Sequence, residues 1–348
     1  MVSHRRTSQH AQTTLAGVTV VSAALATAAA ALSAPPAAAD PAGGPSAGRA
    51  AATARVDSLY VQAERATEKY NGAQARTKKL RHEVAALQDR TARAQERVNR
   101  MRGRLGALAA AQYRSGGIDP TVRLMLSERP DTFLEKAAAL DRLGHHQADE
   151  LRGLQAAQRS LEQQRRETVR KLTELETSRK AVARHKKAVQ RKLATARRLL
   201  NALPKSDRAA YERAARSDGH REAAPDLGGA APSSGRAAAA VAAVRAAVGR
   251  PYAWGSSGPS SFDCSGLTQW AYGRAGVSLP RTSQAQRGAG RPVPIGQARP
   301  GDLVIYRSDA SHVGMYVGNG QVVHAPYPGA RVRYDPVGMM PISAVTRP

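Results

Sequence analysis

The sequence predicts an α+β protein: a long antiparallel α-helical coiled-coil hairpin followed by a small domain in which helices pack on an antiparallel sheet. Three observations lead there. Apolar residues recur at steps of three and four from Val56 to Leu108 and again from Leu140 to Leu203. The break Arg114-Ser115-Gly116-Gly117-Ile118-Asp119-Pro120 separates the two runs. Beyond a Gly/Pro/Ser-rich stretch, from Arg236 onward, the pattern changes to short helices and strand-like runs bounded by glycine. Aromatics are only 4% of 348 residues, too few to fill one large core, so much of the chain must be extended.

The N-terminus comes first. His4-Arg5-Arg6 precedes an apolar run from Leu15 to Leu32, and Ala37-Ala38-Ala39 stands before Asp40. This reads as a secretory signal over 1–39, cleaved on export, with a retained membrane anchor as the rival. Residues 40–53 read as a linker. In the first helix the seam Val56, Leu59, Ala63, Ala66, Tyr70, Ala73 continues to Leu108 and is interrupted only by Thr77 and Thr91. The second seam runs through Leu151, Leu154, Leu161, Leu172, Leu175, Val189, Leu193 and Leu203. Two helices of similar length joined by one break favour a hairpin over 54–217, with dimerisation as the alternative. The tip, 114–134, carries Val122, Leu124, Met125, Leu126, Phe133 and Leu134, either a self-packed lobe or a partner surface. Residues 218–235 read as a flexible linker.

Charge narrows the partners. Lys+Arg 53 against Asp+Glu 27 gives a net +26, so the chain should seek anionic surfaces. No aromatics interleave with these cations as on nucleic-acid surfaces, so anionic cell-envelope polymers are the expected partners and nucleic acid is not. The single cysteine, Cys264, excludes an intramolecular disulfide and a Cys-rich zinc site.

In the last domain, 236–348, Asp263 is a good cap residue and Leu267, Trp270 and Ala271 follow at helical spacing. Cys264 therefore falls in a first helical turn, where the positive helix end lowers a thiol pKa and keeps the sulfur accessible. The backbone N–H groups of that turn are candidate oxyanion donors. The strand-like runs Ser311–Val317 and Gln321–Ala325 carry His312 and His324. A three-residue Gly318-Asn319-Gly320 loop pairing Val317 with Gln321 places both imidazoles on one face as diagonal neighbours, whereas a two-residue turn alone places them on opposite faces. One imidazole would act as base and the other as its orienter. Cys264, His312 and His324 could also hold zinc, but a helix-start thiol beside two sheet imidazoles favours acyl transfer, with no metal or cofactor.

Pro251-Tyr252-Ala253-Trp254-Gly255, Phe262-Asp263-Cys264-Ser265-Gly266-Leu267, Arg281-Thr282-Ser283-Gln284, Pro300-Gly301-Asp302-Leu303-Val304 and Ser311-His312-Val313-Gly314-Met315-Tyr316-Val317-Gly318 together resemble the NlpC family of papain-like cysteine peptidases, cell-wall endopeptidases of bacteria. The resemblance implies a papain-like catalytic domain with Cys264 as nucleophile, His312 as base and His324 as the third polar member. It implies that Tyr252 serves as an oxyanion or positioning group, and that Asp263 and Ser283 line the peptide cleft. The expected substrate is a peptidoglycan stem peptide cut between D-glutamate and diaminopimelate, with Arg281 or another guanidinium on a substrate carboxylate. The helices are similar to those of exported, septum-directed hydrolases. That likeness implies a membrane-embedded division-complex regulator at the tip and a coil that restrains the active site. The rival reading is a non-catalytic peptidoglycan-binding or divisome scaffold protein.

Overall fold

The computed structural model describes residues 45–114, 122, 125, 133–216 and 231–348. The expected signal segment and most of the hairpin tip lie outside them. Helix α1 spans Pro45–Arg114 and α2 spans Phe133–Ala202, each of 70 residues and roughly 105 Å long at ~1.5 Å per residue. The stretch read as a linker is therefore helical from Pro45. Proline is tolerated in a first helical turn, and the alanines after it favour helix. Partners across the two helices run in opposite directions: Gln62 meets Lys192, Glu83 meets Lys171, and Thr91 meets Thr168. The pair is an antiparallel hairpin within one chain. Among the described residues, no helix is long and apolar enough to cross a membrane.

The seam is uneven. Val56, Leu59, Tyr60, Ala63, Ala66, Val189, Leu193 and Ala196 form one buried cluster at the base, and Leu80, Val84 and Leu175 form a smaller one farther out. Each fully buried large aliphatic contributes roughly 1.5–3 kcal/mol. Leu143, Leu151, Val169 and Leu172 are exposed, so Leu151 and Leu172 do not close the seam as their spacing suggests. Apolar stabilisation is thus concentrated at the base, where the C-terminal domain also packs. Pro204 ends α2, and α3 (Lys205–Arg216) returns to the base, where Tyr211 Oη donates to Asp57 Oδ1 at 2.6 Å.

The C-terminal domain opens with α4 (Gly235–Ala246), capped by Ser234, and α5 (Cys264–Arg274), followed by the short α6 (Ser283–Gln286). Six antiparallel strands follow: β1 (Arg291–Pro292), β2 (Leu303–Tyr306), β3 (His312–Gly318), β4 (Gln321–His324), β5 (Arg333–Pro336) and β6 (Ile342–Arg347), in the order β1-β6-β2-β3-β4-β5. Alternation splits the sheet residues between two faces. Leu303, Ile305, Val313, Met315 and Val323 pack with Val241, Val244, Leu267 and Ala271 of the helices, while Val304, Tyr306, Val322 and Val345 form a second cluster. This is the α+β, papain-like arrangement of helices on an antiparallel sheet.

The β3–β4 connection differs from the expected three-residue loop. Gly318 pairs with Gln321, leaving Asn319-Gly320 as a two-residue turn with positive φ at both positions (48° and 66°). A register shift between Tyr316 and Gly318 absorbs Val317 as a bulge, so Tyr316 still faces Val322 and Met315 faces Val323. The body of the hairpin keeps the register that puts both histidines on one face.

Gly266, in the first turn of α5, has a packing reason. A Cβ there would stand 2.2 Å from the Ser256 carbonyl oxygen, a backbone atom of the loop that the helix start rests on. Gly266→Ala should cost several kcal/mol, whereas Gly273→Ala, with nothing within 4 Å, should gain about 0.5–1 kcal/mol; thermal unfolding midpoints of the two variants check the contrast.

Candidate active site

Cys264 is the first residue of α5, and Asp263 is its N-cap with φ −95° and ψ 176°, accepting the Gly266 N–H at 2.7 Å. The aspartate does more than cap. It accepts from the Gly255 N–H at 2.9 Å and forms a two-pronged ion pair with Arg281, at 3.0 and 2.6 Å. Together with the bridge between Tyr252 and Phe262, these bonds fix the 251–263 loop against the helix start. Tyr252 is buried, its hydroxyl has no hydrogen-bond partner among the described residues, and its pKa is raised by burial and by the neighbouring Glu64 and Cys264.

On the sheet, His312 and His324 meet as the register requires: His312 Nε2 lies 2.8 Å from His324 Nδ1. Both rings are buried. His324 Nε2 in turn lies 2.7 Å from Asp335 Oδ2, which also accepts from Arg333 Nε at 2.8 Å. Burial pulls the His324 pKa down to about 4, so the ring is neutral near pH 7. Burial acts to raise Asp335, but His324 and Arg333 outweigh it and bring the carboxyl to about 2. Asp335 was not among the residues expected at the site. Only the pairing of β5 with β4, which sets Asp335 opposite Val322, puts it beside His324.

The sulfur and the imidazoles do not face an open cleft. Helix α1 brings Glu64, Glu68 and Asn71, at successive turns of one face, into the space between them, and all three are buried. Glu64 Oε1 bonds His312 Nδ1, and Glu64 Oε2 accepts from Arg307 at 2.6 Å. Glu68 Oε2 accepts the Ser283 N–H at 2.7 Å and lies 3.0 Å from Ser283 Oγ, while Glu68 Oε1 lies 2.8 Å from Ser265 Oγ and 3.8 Å from Cys264 Sγ. Asn71 Nδ2 donates to Asp263 at 3.1 Å. Around this contact Tyr60 stacks on Tyr327 and Tyr70 meets Trp254 edge-on.

This corrects the expectation of an accessible, acidified thiol. Cys264 is 1% exposed, and burial, then the Glu68, Glu64 and Asp263 carboxylates, raise its pKa well above the ordinary range against the pull of the helix end. Burial opposes ionisation of Glu64, but His312 and Arg307 hold its pKa below the usual carboxylate range. Glu68, among the described residues, has no direct ion pair. Burial and then repulsion from Asp263 push it up to about 7, against the hydrogen bonds from Ser265 and Ser283.

Arg281 is committed to Asp263, whereas Arg307 meets the Glu64 carboxylate that α1 brings in. Ser283 lines the site as a carboxylate binder. The zinc set Cys264–His312–His324 does not assemble, because both His324 nitrogens are occupied by His312 and Asp335. Donor atoms of Glu64, Cys264 and His312 do come within 4.8 Å of one another, but the two Glu64 oxygens are engaged by His312 and Arg307. Beside the site, a cleft of about 1150 Å³ between hairpin and domain is lined by Lys78, Lys79, Arg81, Arg179 and Lys186, and it does not reach Cys264.

Residues 249–344 match the model of the NlpC/P60 family. A probable endopeptidase of Corynebacterium glutamicum is 45% identical over 118 residues, which are 34% of this chain and 56% of that protein. A probable endopeptidase of Mycobacterium tuberculosis is 48% identical over 99 residues, 28% of this chain and 26% of the other. The chain thus spans about half the length of the first relative and about a quarter of the second. Among solved structures, the P60 domain of a Mycobacterium avium subspecies paratuberculosis antigen is 36% identical with a TM-score of 0.31, covering 32% of this chain and 93% of that domain. The matched stretch contains Cys264, His312, His324 and the loop that positions them, and residues 249–344 of the chain are thus a domain of the NlpC/P60 family.

Proposed function

We propose that the chain is a peptidoglycan endopeptidase of cysteine type, held latent by its own helical hairpin. The observation that carries this reading is the convergence of a helix-start sulfur on an imidazole whose second nitrogen is already bonded to another imidazole. With α1 withdrawn, Cys264 gives its proton to His312 Nδ1 and the thiolate attacks the amide carbonyl carbon. The tetrahedral oxyanion takes hydrogen bonds from N–H groups of the α5 first turn and from the Tyr252 hydroxyl. Collapse breaks the C–N bond while His312 returns the proton to the leaving amine, and water then hydrolyses the thioester.

The substrate proposed is a stem peptide, cut at the D-glutamyl–diaminopimelate amide. A cleft that accepts two carboxylates, one at Ser265 and Ser283 and one at Arg307, suits so anionic a peptide. The protein acts outside the cell at the wall, in division or wall remodelling, with the cationic cleft of the hairpin toward anionic wall polymers. A membrane-embedded regulator engages the hairpin tip, where the described Tyr113, Val122, Met125 and Leu134 are exposed apolar side chains. Restraint rests on Glu64, which holds the His312 nitrogen needed by the thiol, and on Glu68, which fills the pocket beside it.

Cys264→Ala should abolish cleavage of defined muropeptides, read by mass spectrometry of the products, and leave the unfolding midpoint within a degree or two. Glu64→Ala/Glu68→Ala in the full chain should raise muropeptide turnover at least tenfold over wild type. Glu68 also imposes a pH dependence. Its docked pKa, about 7, lies above the ordinary 4.5, so the docked state binds more protons. Docking is strongest below the ordinary value and weakens as pH rises through about 7. Glu64 has the opposite sign, and its contribution is lost only in acid. Turnover of wild type relative to Glu68→Gln, whose neutral amide does not titrate, should rise severalfold between about pH 6 and pH 8.

A further inference from the structure

We infer that Asp335 is a fourth member of the relay, a positioning residue that sets the proton arrangement of both histidines. The inference rests on the peptidase reading above. The geometry is a line of buried contacts: His312 Nε2 to His324 Nδ1 at 2.8 Å, then His324 Nε2 to Asp335 Oδ2 at 2.7 Å, with Arg333 Nε on the same oxygen at 2.8 Å.

The consequence follows from hydrogen-bond inventory. An ionised carboxylate only accepts, so His324 carries its proton on Nε2 and presents a lone pair at Nδ1. That lone pair accepts from His312, which fixes a His312 proton on Nε2; once Glu64, which holds Nδ1 while α1 is docked, has withdrawn, Nδ1 is the nitrogen left to take the proton of Cys264. Without Asp335 the other order is open: His324 donates from Nδ1, His312 must accept at Nε2, and its Nδ1 then carries a hydrogen and cannot act as base. The groups that bear on this line are Arg333 and Asp335 at one end, and Glu64 and Arg307 at the other. Arg333 lies over the Tyr327 ring at 5.8 Å and anchors the carboxylate from behind.

Asp335 stands one residue farther from the nucleophile than the orienting aspartate of a serine triad, where changing carboxylate to amide costs about 10⁴ in kcat. A smaller loss is expected here. In full-length Glu64→Ala/Glu68→Ala protein acting on a defined muropeptide, adding Asp335→Asn should lower kcat roughly ten- to a hundredfold with KM unchanged. Loss of the carboxylate destabilises the imidazolium, so the pH limb belonging to the histidine pair should move to lower pH, and Asp335→Glu should restore part of kcat. Nitrogen NMR of ¹⁵N-histidine-labelled full chain gives a readout that needs no turnover. Wild type should show His324 protonated at Nε2, and Asp335→Ala should populate the Nδ1-protonated form. Unchanged kcat and pH limb in Asp335→Asn, or an unaltered His324 tautomer in Asp335→Ala, overturns the inference. If none of the full-length proteins cleaves, the peptidase reading fails, and the tautomer measurement still decides the role of Asp335.

Discussion

A buried carboxylate needs partners, and the way Glu64 finds them organises this molecule. Removing an ionised carboxyl from water costs several kcal/mol even after relaxation, so Glu64 can be 2% exposed only where charges compensate it. Arg307 supplies a charge and His312 a hydrogen bond, and both belong to the C-terminal domain. The hairpin base is therefore docked on the same imidazole that the proposed mechanism uses for proton transfer. Glu68 is less well matched, with hydrogen bonds from Ser283 and Ser265 in place of a direct ion pair, and with Asp263 nearby. The contact is firm at one carboxylate and yielding at the other, as the proposed release of the hairpin requires.

The rest of the architecture serves this junction. Apolar burial in the hairpin is densest from Val56 to Ala66, the turns that carry Glu64 and lead directly into Glu68. Farther out the seam has polar steps such as Thr77 against Ser178 at 2.8 Å, and exposed leucines. Tyr60 on Tyr327, with Arg333 above that ring, extends the α1 contact to the outer end of the histidine line.

Much of the candidate site was legible because its signals are local. Asp263 before Leu267, Trp270 and Ala271 marks a capped helix and places Cys264 in its first turn. The histidine pair follows from strand alternation, although the register is reached through a bulge at Val317 and not by a longer loop. Glu64, Glu68 and Asn71 escaped notice for a physical reason. They sit beside the apolar seam in a helix rich in charge, and nothing near them records that residues about two hundred positions away will cover them. The state of the thiol was misjudged for the same reason: helix-end electrostatics is local, whereas desolvation by α1 is not. Asp335 depends on the β4–β5 pairing, and Arg281 on the capture of its guanidinium by Asp263. Both are long-range facts.

Because Cys264 is the single cysteine of the chain, its alkylation rate reports the closed state without ambiguity. The second-order rate of iodoacetamide labelling should be compared between the full-length wild-type protein and Glu64→Ala/Glu68→Ala near neutral pH. Slow labelling of wild type and labelling at least tenfold faster in the variant is the result this account predicts. Equal rates, with a freely reactive thiol in both, would contradict it.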